Sequence, residues 1–229
     1  MESVDLLVSV PLFEKLNSEH LSEIAGKIKI RSYKRGETII RQDDPGSMLY
    51  IIMKGHVKIV TLTPEGEELI IAMLSDNDFF GELSLLDGEP HSASAVAMDI
   101  TQIMTLQRDD FLEAILKSPE MVRNILISLS SRLRRTDILL EDAIRLNLAA
   151  RLSKRLLELG EKFGVTTDNC IEIELRLTQQ DLANFLGASR VAINRLLRQL
   201  QDSGLISIDR KHITILQPVE LENNIEVSC

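Results

Sequence analysis

The chain has 229 residues, enough for two modest domains that each close a core of their own. It is 44% apolar and 27% charged with a formal charge of −9, a globular composition, and Leu69–Leu74 is an apolar run of only six residues, far short of a membrane span. Two cysteines, Cys170 and Cys229, are too few for a disulfide framework or a cluster site, and Met1-Glu2-Ser3 begins no signal segment, so a reducing cytoplasm is expected.

The acidity is uneven. Residues 1–145 hold 16 Lys/Arg against 24 Asp/Glu, whereas residues 146–229 hold 10 against 11. An acidic first part repels polyanions and leaves any nucleic-acid contact to the second.

Leu12-Phe13, Leu16 and Ser18–Gly26 predict a short helical lead-in. From Ile28 the pattern changes. Glycines at 36, 46, 55 and 66 bracket strand-like runs at Glu37–Ile40, Met48–Met53, His56–Thr63 and Glu67–Leu74. Pro45-Gly46 and Pro64-Glu65-Gly66 supply turns, and the spacing predicts an antiparallel barrel or jelly roll. Next comes FGELSLLDGEPHSASAVA, Phe80–Ala97: a strand ending at Gly81, one helical turn, then a strand over His91–Met98. The free N–H groups of that turn suit an anion. Glu82 can accept from sugar hydroxyls and Ser92 can donate to a phosphate. A tight barrel corner with a solvated Glu explains the same residues, and both readings stay open here.

Ser118-Pro119-Glu120 starts a helix: a capping serine, proline at the first position, an acid in the first turn. Run to Arg145, it measures about 40 Å at 1.5 Å per residue. Val122, Leu126, Leu129, Leu133, Thr136, Leu140 and Ile144 step by fours and threes, a seam for a parallel homodimer. A helix over Asn147–Phe163 follows, with a hinge near Arg145–Asn147. Gly164 and Thr166-Thr167-Asp168-Asn169 end it, and Cys170–Leu175 reads as a strand.

Thr178–Gln201 reads as two helices at a tight turn. Thr178 caps the first, with Asp181 completing a capping box. Gly187 turns the chain, and Ser189 caps the second, whose Ile193, Leu196, Leu197 and Leu200 form one buried stripe. Its other face carries Arg190, Val191, Asn194, Arg195 and Arg198. No acid occurs from Leu182 to Gln201. Arg190 and Arg195 are base-reading candidates, with Asn194 and Arg198 nearer the backbone, and Thr178, Gln179 and Ser189 complete the expected surface. Leu205–Ile208 and Ile213–Leu216 flank Asp209-Arg210-Lys211-His212 as a small hairpin, a wing.

The Phe80–Ala97 segment resembles the phosphate-binding cassette of cyclic-nucleotide-binding domains. With the helix-turn-helix downstream, the chain resembles the Crp–Fnr family of bacterial transcription regulators from about Leu12 to Gln217. The resemblance implies an α+β protein: an N-terminal antiparallel β-roll or jelly roll (1–118), a long dimerisation helix (119–145) and a C-terminal winged helix-turn-helix (146–229). It implies an effector pocket of Gly81, Glu82, Leu83, Ser84, His91 and Ser92, with Thr136 and Asp137 reached from the long helix. It also implies a homodimer on a pseudo-palindromic duplex, with RNA polymerase as a further partner.

A cyclic nucleotide is the candidate effector, but family cassettes that bind one usually carry Arg before the Ser or Thr. Here His91 stands in that place, offering neither a fixed charge nor a fork of donors, which argues against tight cyclic-nucleotide control. Arg132, Arg134 and Arg135 lie nearby, as solvated residues, as intrachain partners or as a source of the missing charge. The alternative keeps the DNA-binding architecture without a cyclic nucleotide, as a haem or other-effector sensor or as a ligand-independent regulator. The cysteine cluster of oxygen-sensing relatives is missing, and His20, His56, His91 and His212 each read as surface or turn residues. Many relatives place Glu where Val191 stands, so the consensus is expected to shift. No nucleophile elbow or HExxH spacing points to an enzyme, and solvation accounts for Asp43-Asp44 and Glu67-Glu68.

Overall fold

A computed structural model describes residues 6–64 and 66–226. Met1-Glu2-Ser3, Glu65 of the Pro64-Glu65-Gly66 turn and Cys229 lie outside the described residues. Two compact units emerge. One comprises the chain up to Leu62 together with Ile71–Arg134, the other Thr63–Ile70 together with Arg135 onward.

In the first unit a single 3-10 turn at Pro11–Phe13 precedes helix α1 (Ser18–Lys27), whose first turn is capped by Asn17 accepting from the His20 N–H. Strands β1 (Lys29–Tyr33), β2 (Thr38–Ile40), β3 (Met48–Lys54), β4 (Val57–Leu62), β5 (Glu68–Leu74) and β6 (Phe79–Phe80) follow. Helix α2 (Glu82–Asp87), β7 (Ser94–Ala97), β8 (Thr101–Gln107) and α3 (Arg108–Lys117) lead into the long α4 (Pro119–Arg145). The strands form two four-stranded sheets, ordered β1-β8-β3-β6 and β2-β7-β4-β5.

Alternation along the strands divides the core in two. Leu49 and Ile51 of β3, with Met104 and Leu106 of β8, face the helices and pack with Leu21, Ile24, Phe111, Met121 and Ile125. Ile52 and Ile103 face the other way, against Ile40, Val57 and Ala95 of the second sheet. Helix α4 therefore has two apolar faces. Met121 and Ile125 are buried, whereas Val122, Leu126, Leu133, Leu140 and Ile144 of the predicted seam stand exposed, Leu140 at 63% and Ile144 at 76%. Leu129 is half-buried against the first core.

In the second unit, α5 (Leu148–Phe163) starts where Asn147 accepts from the Ala150 N–H. Strands β9 (Gly164–Thr167) and β10 (Cys170–Ile173), helices α6 (Gln179–Leu186) and α7 (Arg190–Asp202), strands β11 (Ile206–Asp209) and β12 (His212–Ile215) and helix α8 (Pro218–Glu226) complete it. One sheet runs β11-β12-β10-β9.

Several boundaries differ from the sequence expectation. The cluster after Phe163, read as a helix end, is a hairpin in which Asp168 and Asn169 take positive φ (49° and 67°) between β9 and β10. Asp and Asn tolerate that region, which a type I′ turn needs at both central positions. The strand placed over His91–Met98 begins only at Ser94, leaving His91 and Ser92 in the preceding loop. Strand β10 ends at Ile173 rather than Leu175.

Candidate functional site

The cassette is built by backbone geometry. Strand β6 ends at Gly81, whose φ of +83° turns the chain into α2. A Cβ there would stand 3.0 Å from the Tyr50 ring and 3.1 Å from the Met48 carbonyl, so glycine is required twice over, by conformation and by space. The turn drives Glu82 inward to 1% exposure. Its Oε1 accepts from Arg132 Nη1 at 2.7 Å, and Arg132 Nη2 donates to the Phe79 carbonyl at 2.5 Å. The same guanidinium lies 5.0 Å from the centroid of the Phe79 ring. The second carboxylate oxygen of Glu82 is buried with no hydrogen-bond partner. Burial raises the Glu82 pKa from the usual carboxylate range, and the Arg132 charge opposes that rise. Of the three arginines on this stretch of α4, Arg132 thus takes the intrachain role.

His91, read from the sequence as a surface or turn residue, lies in a loop but is buried. It is 6% exposed, and its Nδ1 lies 2.9 Å from Ser84 Oγ. Its backbone is fixed too: the N–H donates to the Asp44 carbonyl, and the carbonyl accepts from the Asp43 N–H, both at 2.9 Å. Burial lowers its pKa below the usual imidazole value, against the pull of Asp44, which disfavours the charged ring. Leu83 and Ser92 face solvent. The structure therefore brings Gly81, Glu82, Ser84 and His91 together, with His91 turned into the protein and Ser92 outside. Thr136 and Asp137 lie on α4 in the second unit, both exposed.

A cyclic phosphate gripped at position 91 would need a fixed cation there. Position 91 supplies an inward ring whose charged form burial disfavours, and the cation at this corner, Arg132, is paired with Glu82. Position 91 does not supply that grip.

The second unit places the other set of predicted residues. Thr178 and Asp181 form a full capping box: Thr178 Oγ1 accepts from the Asp181 N–H at 3.0 Å, and Asp181 Oδ2 accepts from the Thr178 N–H at 3.0 Å. Gly187 takes φ +59° and ends α6, and Ser189 accepts from the Ala192 N–H to start α7. Ile193, Leu197 and Leu200 are buried, while Arg190, Val191 (80%), Arg195 and Arg198 are exposed. Asn194, on the same face, is half-buried because Gln179 Nε2 donates to its Oδ1 at 3.1 Å.

The wing adds residues absent from the predicted surface. Arg210 and Lys211 occupy the turn between β11 and β12 with φ of +43° and +80°. Lys211, Arg190, Thr178, Gln179 and Gln180 line one cleft of about 520 Å³ between the wing and the start of α6. Two adjacent cations at a hairpin tip were the available sequence signal. Among the described residues no His/Cys/Asp/Glu cluster is arranged to hold a metal ion, and no helix is long and apolar enough to cross a membrane.

Comparison with known proteins matches both halves. Residues 30–118 fit the cyclic nucleotide-binding domain model and residues 150–223 the Crp-like helix-turn-helix domain model. The chain is 34% identical over 212 residues to the global nitrogen regulator of Synechococcus elongatus, covering 92% of this chain and 93% of that one. The chain belongs to the Crp–Fnr family. It is 30% identical to a CRP-like cAMP-activated global transcriptional regulator of Mycobacterium tuberculosis, covering 92% and 94%. The FixK2 structure from Bradyrhizobium japonicum shares the fold, with a TM-score of 0.77 at 23% identity over 86% of this chain and 96% of that one. As a Crp–Fnr protein, this chain is a DNA-binding transcription regulator with a cyclic-nucleotide-binding-type domain joined by a long helix to a winged helix-turn-helix.

Proposed function

We propose that this regulator acts as a homodimer, paired along α4, that sets two α7 helices into successive major grooves of a pseudo-palindromic site. Half-sites one turn apart, about 34 Å, follow from such a dimer. The carrying observation is the capped α7, free of acids up to Gln201, whose Arg190, Arg195 and Arg198 face solvent while Ile193, Leu197 and Leu200 are buried. The division into 1–118, 119–145 and 146–229 assigns effector sensing, pairing and DNA reading in that order. RNA polymerase is the further partner, the bacterial cytoplasm the compartment, and no catalytic step is involved.

The effector set is Gly81, Glu82, Leu83, Ser84, His91 and Ser92, with Thr136 and Asp137 from α4. The inward His91 and the Arg132–Glu82 pair favour control by something other than a cyclic phosphate gripped at position 91, or control without a small ligand. Val191, being apolar, cannot accept from a cytosine amine but matches a thymine methyl.

Arg195→Ala tests the reading. It should cost about 1–3 kcal/mol at the cognate duplex and relax preference at one base pair. Full retention of wild-type specificity in a competition assay removes Arg195 from the reading set.

A further inference from the structure

Asparagine on a recognition helix ordinarily serves adenine, its carbonyl accepting from N6–H and its amide donating to N7. In this protein that two-way contact is pre-empted. Gln179, the first residue of α6, donates through Nε2 to Asn194 Oδ1 at 3.1 Å, joining the two helices of the helix-turn-helix. The carbonyl of Asn194 thereby accepts inside the protein, which leaves its Nδ2 amide as the end of the side chain available to a ligand.

Asn194 holds a central place on the α7 surface. It lies one turn after Arg190 and one turn before Arg198, in an i, i+4 row, with Val191 and Arg195 alongside. A short side chain in the middle of such a face meets base edges, which moves Asn194 from the backbone set into the reading set beside Arg190 and Arg195, while Arg198 stays toward a strand.

We infer that Gln179 is a positioning residue that fixes the polarity of Asn194, making position 194 a donor that reads guanine or thymine and rejects cytosine at one base pair of each half-site. The major-groove chemistry carries the consequence. Guanine offers N7 and O6 and thymine offers O4, all acceptors, whereas cytosine presents only its N4 amine. Adenine keeps N7 as a single acceptor but loses the second contact that normally makes asparagine select it. The inference rests on α7 being the reading helix.

Selection of the full-length dimer on a random duplex library, followed by anisotropy competition with all four bases at every position, tests it. Wild type should disfavour cytosine at one symmetric position by roughly tenfold. Gln179→Ala frees both ends of the Asn194 amide, and adenine should rise there by roughly tenfold relative to guanine. Gln179→Glu can only accept, so Asn194 must turn to donate inward and present its carbonyl; preference should move to cytosine or adenine. Asn194→Ala should erase preference at that position alone. All these variants keep the Thr178–Asp181 capping box, which starts α6 without Gln179.

Unchanged base profiles in both Gln179 variants overturn the inference. So does a uniform, salt-sensitive loss in Asn194→Ala, which assigns the residue to a phosphate, and so does a wild-type preference for cytosine at that position. A wild-type protein with no sequence preference at all would instead remove the reading-helix assignment on which the inference stands.

Discussion

Gly81 and His91 show how single residues shape the cassette. Alanine at position 81 must hold φ near +83° and fit a methyl 3.0 Å from the Tyr50 ring and 3.1 Å from the Met48 carbonyl. Gly81→Ala should cost about 2 kcal/mol, read as a lowered melting temperature. Gly66→Ala is the control, since it has a similar φ of +81° but nothing within 4 Å, and it should cost less.

His91 makes stability depend on pH. Its folded pKa lies below the unfolded value of about 6.5, so in the window beneath that value the unfolded chain binds more protons. The contribution of the neutral ring is present above pH 6.5 and is lost as pH falls through the depressed folded pKa. Melting at pH 7.5 and 5.5 should show acid destabilisation that His91→Gln reduces. An equal drop in both proteins would exclude His91 as its source.

Among the elements, the junction of α4 and α5 carries the densest buried charge in the second unit. Asp142, 5% exposed, accepts from Lys154 Nζ at 2.6 Å and lies 3.4 Å from Arg155 Nη2. Arg155, also 5% exposed, pairs with Glu158 and lies over the Phe185 ring of α6 at 5.7 Å. One buried network thus joins the end of the long helix to the first helix of the DNA-binding motif. Removing one partner leaves a charge without compensation, and Asp142→Asn should destabilise by about 3 kcal/mol in thermal or denaturant unfolding. The paired change Asp142→Leu with Arg155→Met should cost less than Asp142→Leu alone, because it removes both members.

The elements differ in how far sequence reveals them, and the reasons are physical. The helix-turn-helix is legible because its caps, its glycine turn and its 3.6-residue stripe are local. Strand β8 is not: Thr101, Ile103, Met104, Thr105 and Leu106 are all buried, so no alternation marks it. β1 fails for the opposite reason, with four of its five residues exposed. The α3 helix lay unread between β8 and the Ser118 cap. In the cassette, residue types were readable but directions were not. His91 turns inward because Ser84 waits there, and Arg132 meets Glu82 across 50 residues of chain, a contact no spacing rule announces.

For the whole molecule, the decisive feature is the row of exposed apolar side chains on α4. Leu126 at 59%, Leu133 at 63%, Leu140 at 63% and Ile144 at 76% lie along one helix. Isolated exposed leucines are ordinary, but a row at heptad spacing has the pattern of a coiled-coil seam, which supports the proposed pairing. If a second copy covers it, a carboxylate in the middle must separate the copies. Leu133→Glu and Leu140→Glu should each convert the dimer to monomer in sedimentation, with circular dichroism unchanged, because neither side chain enters a core.

The same variants measure what pairing contributes to DNA affinity. Two reading helices on one stalk make the second contact intramolecular, an advantage of about 10²- to 10⁴-fold over a single helix. The wild type should therefore prefer a two-half-site duplex strongly, while the monomeric variants should bind full and half sites almost alike. Their dependence on salt should also be shallower, because half as many phosphates are neutralised and fewer counterions are released. An intact salt slope in a variant shown to be monomeric would mean that one α7 helix supplies the whole contact, and the paired-helix geometry would fail with it.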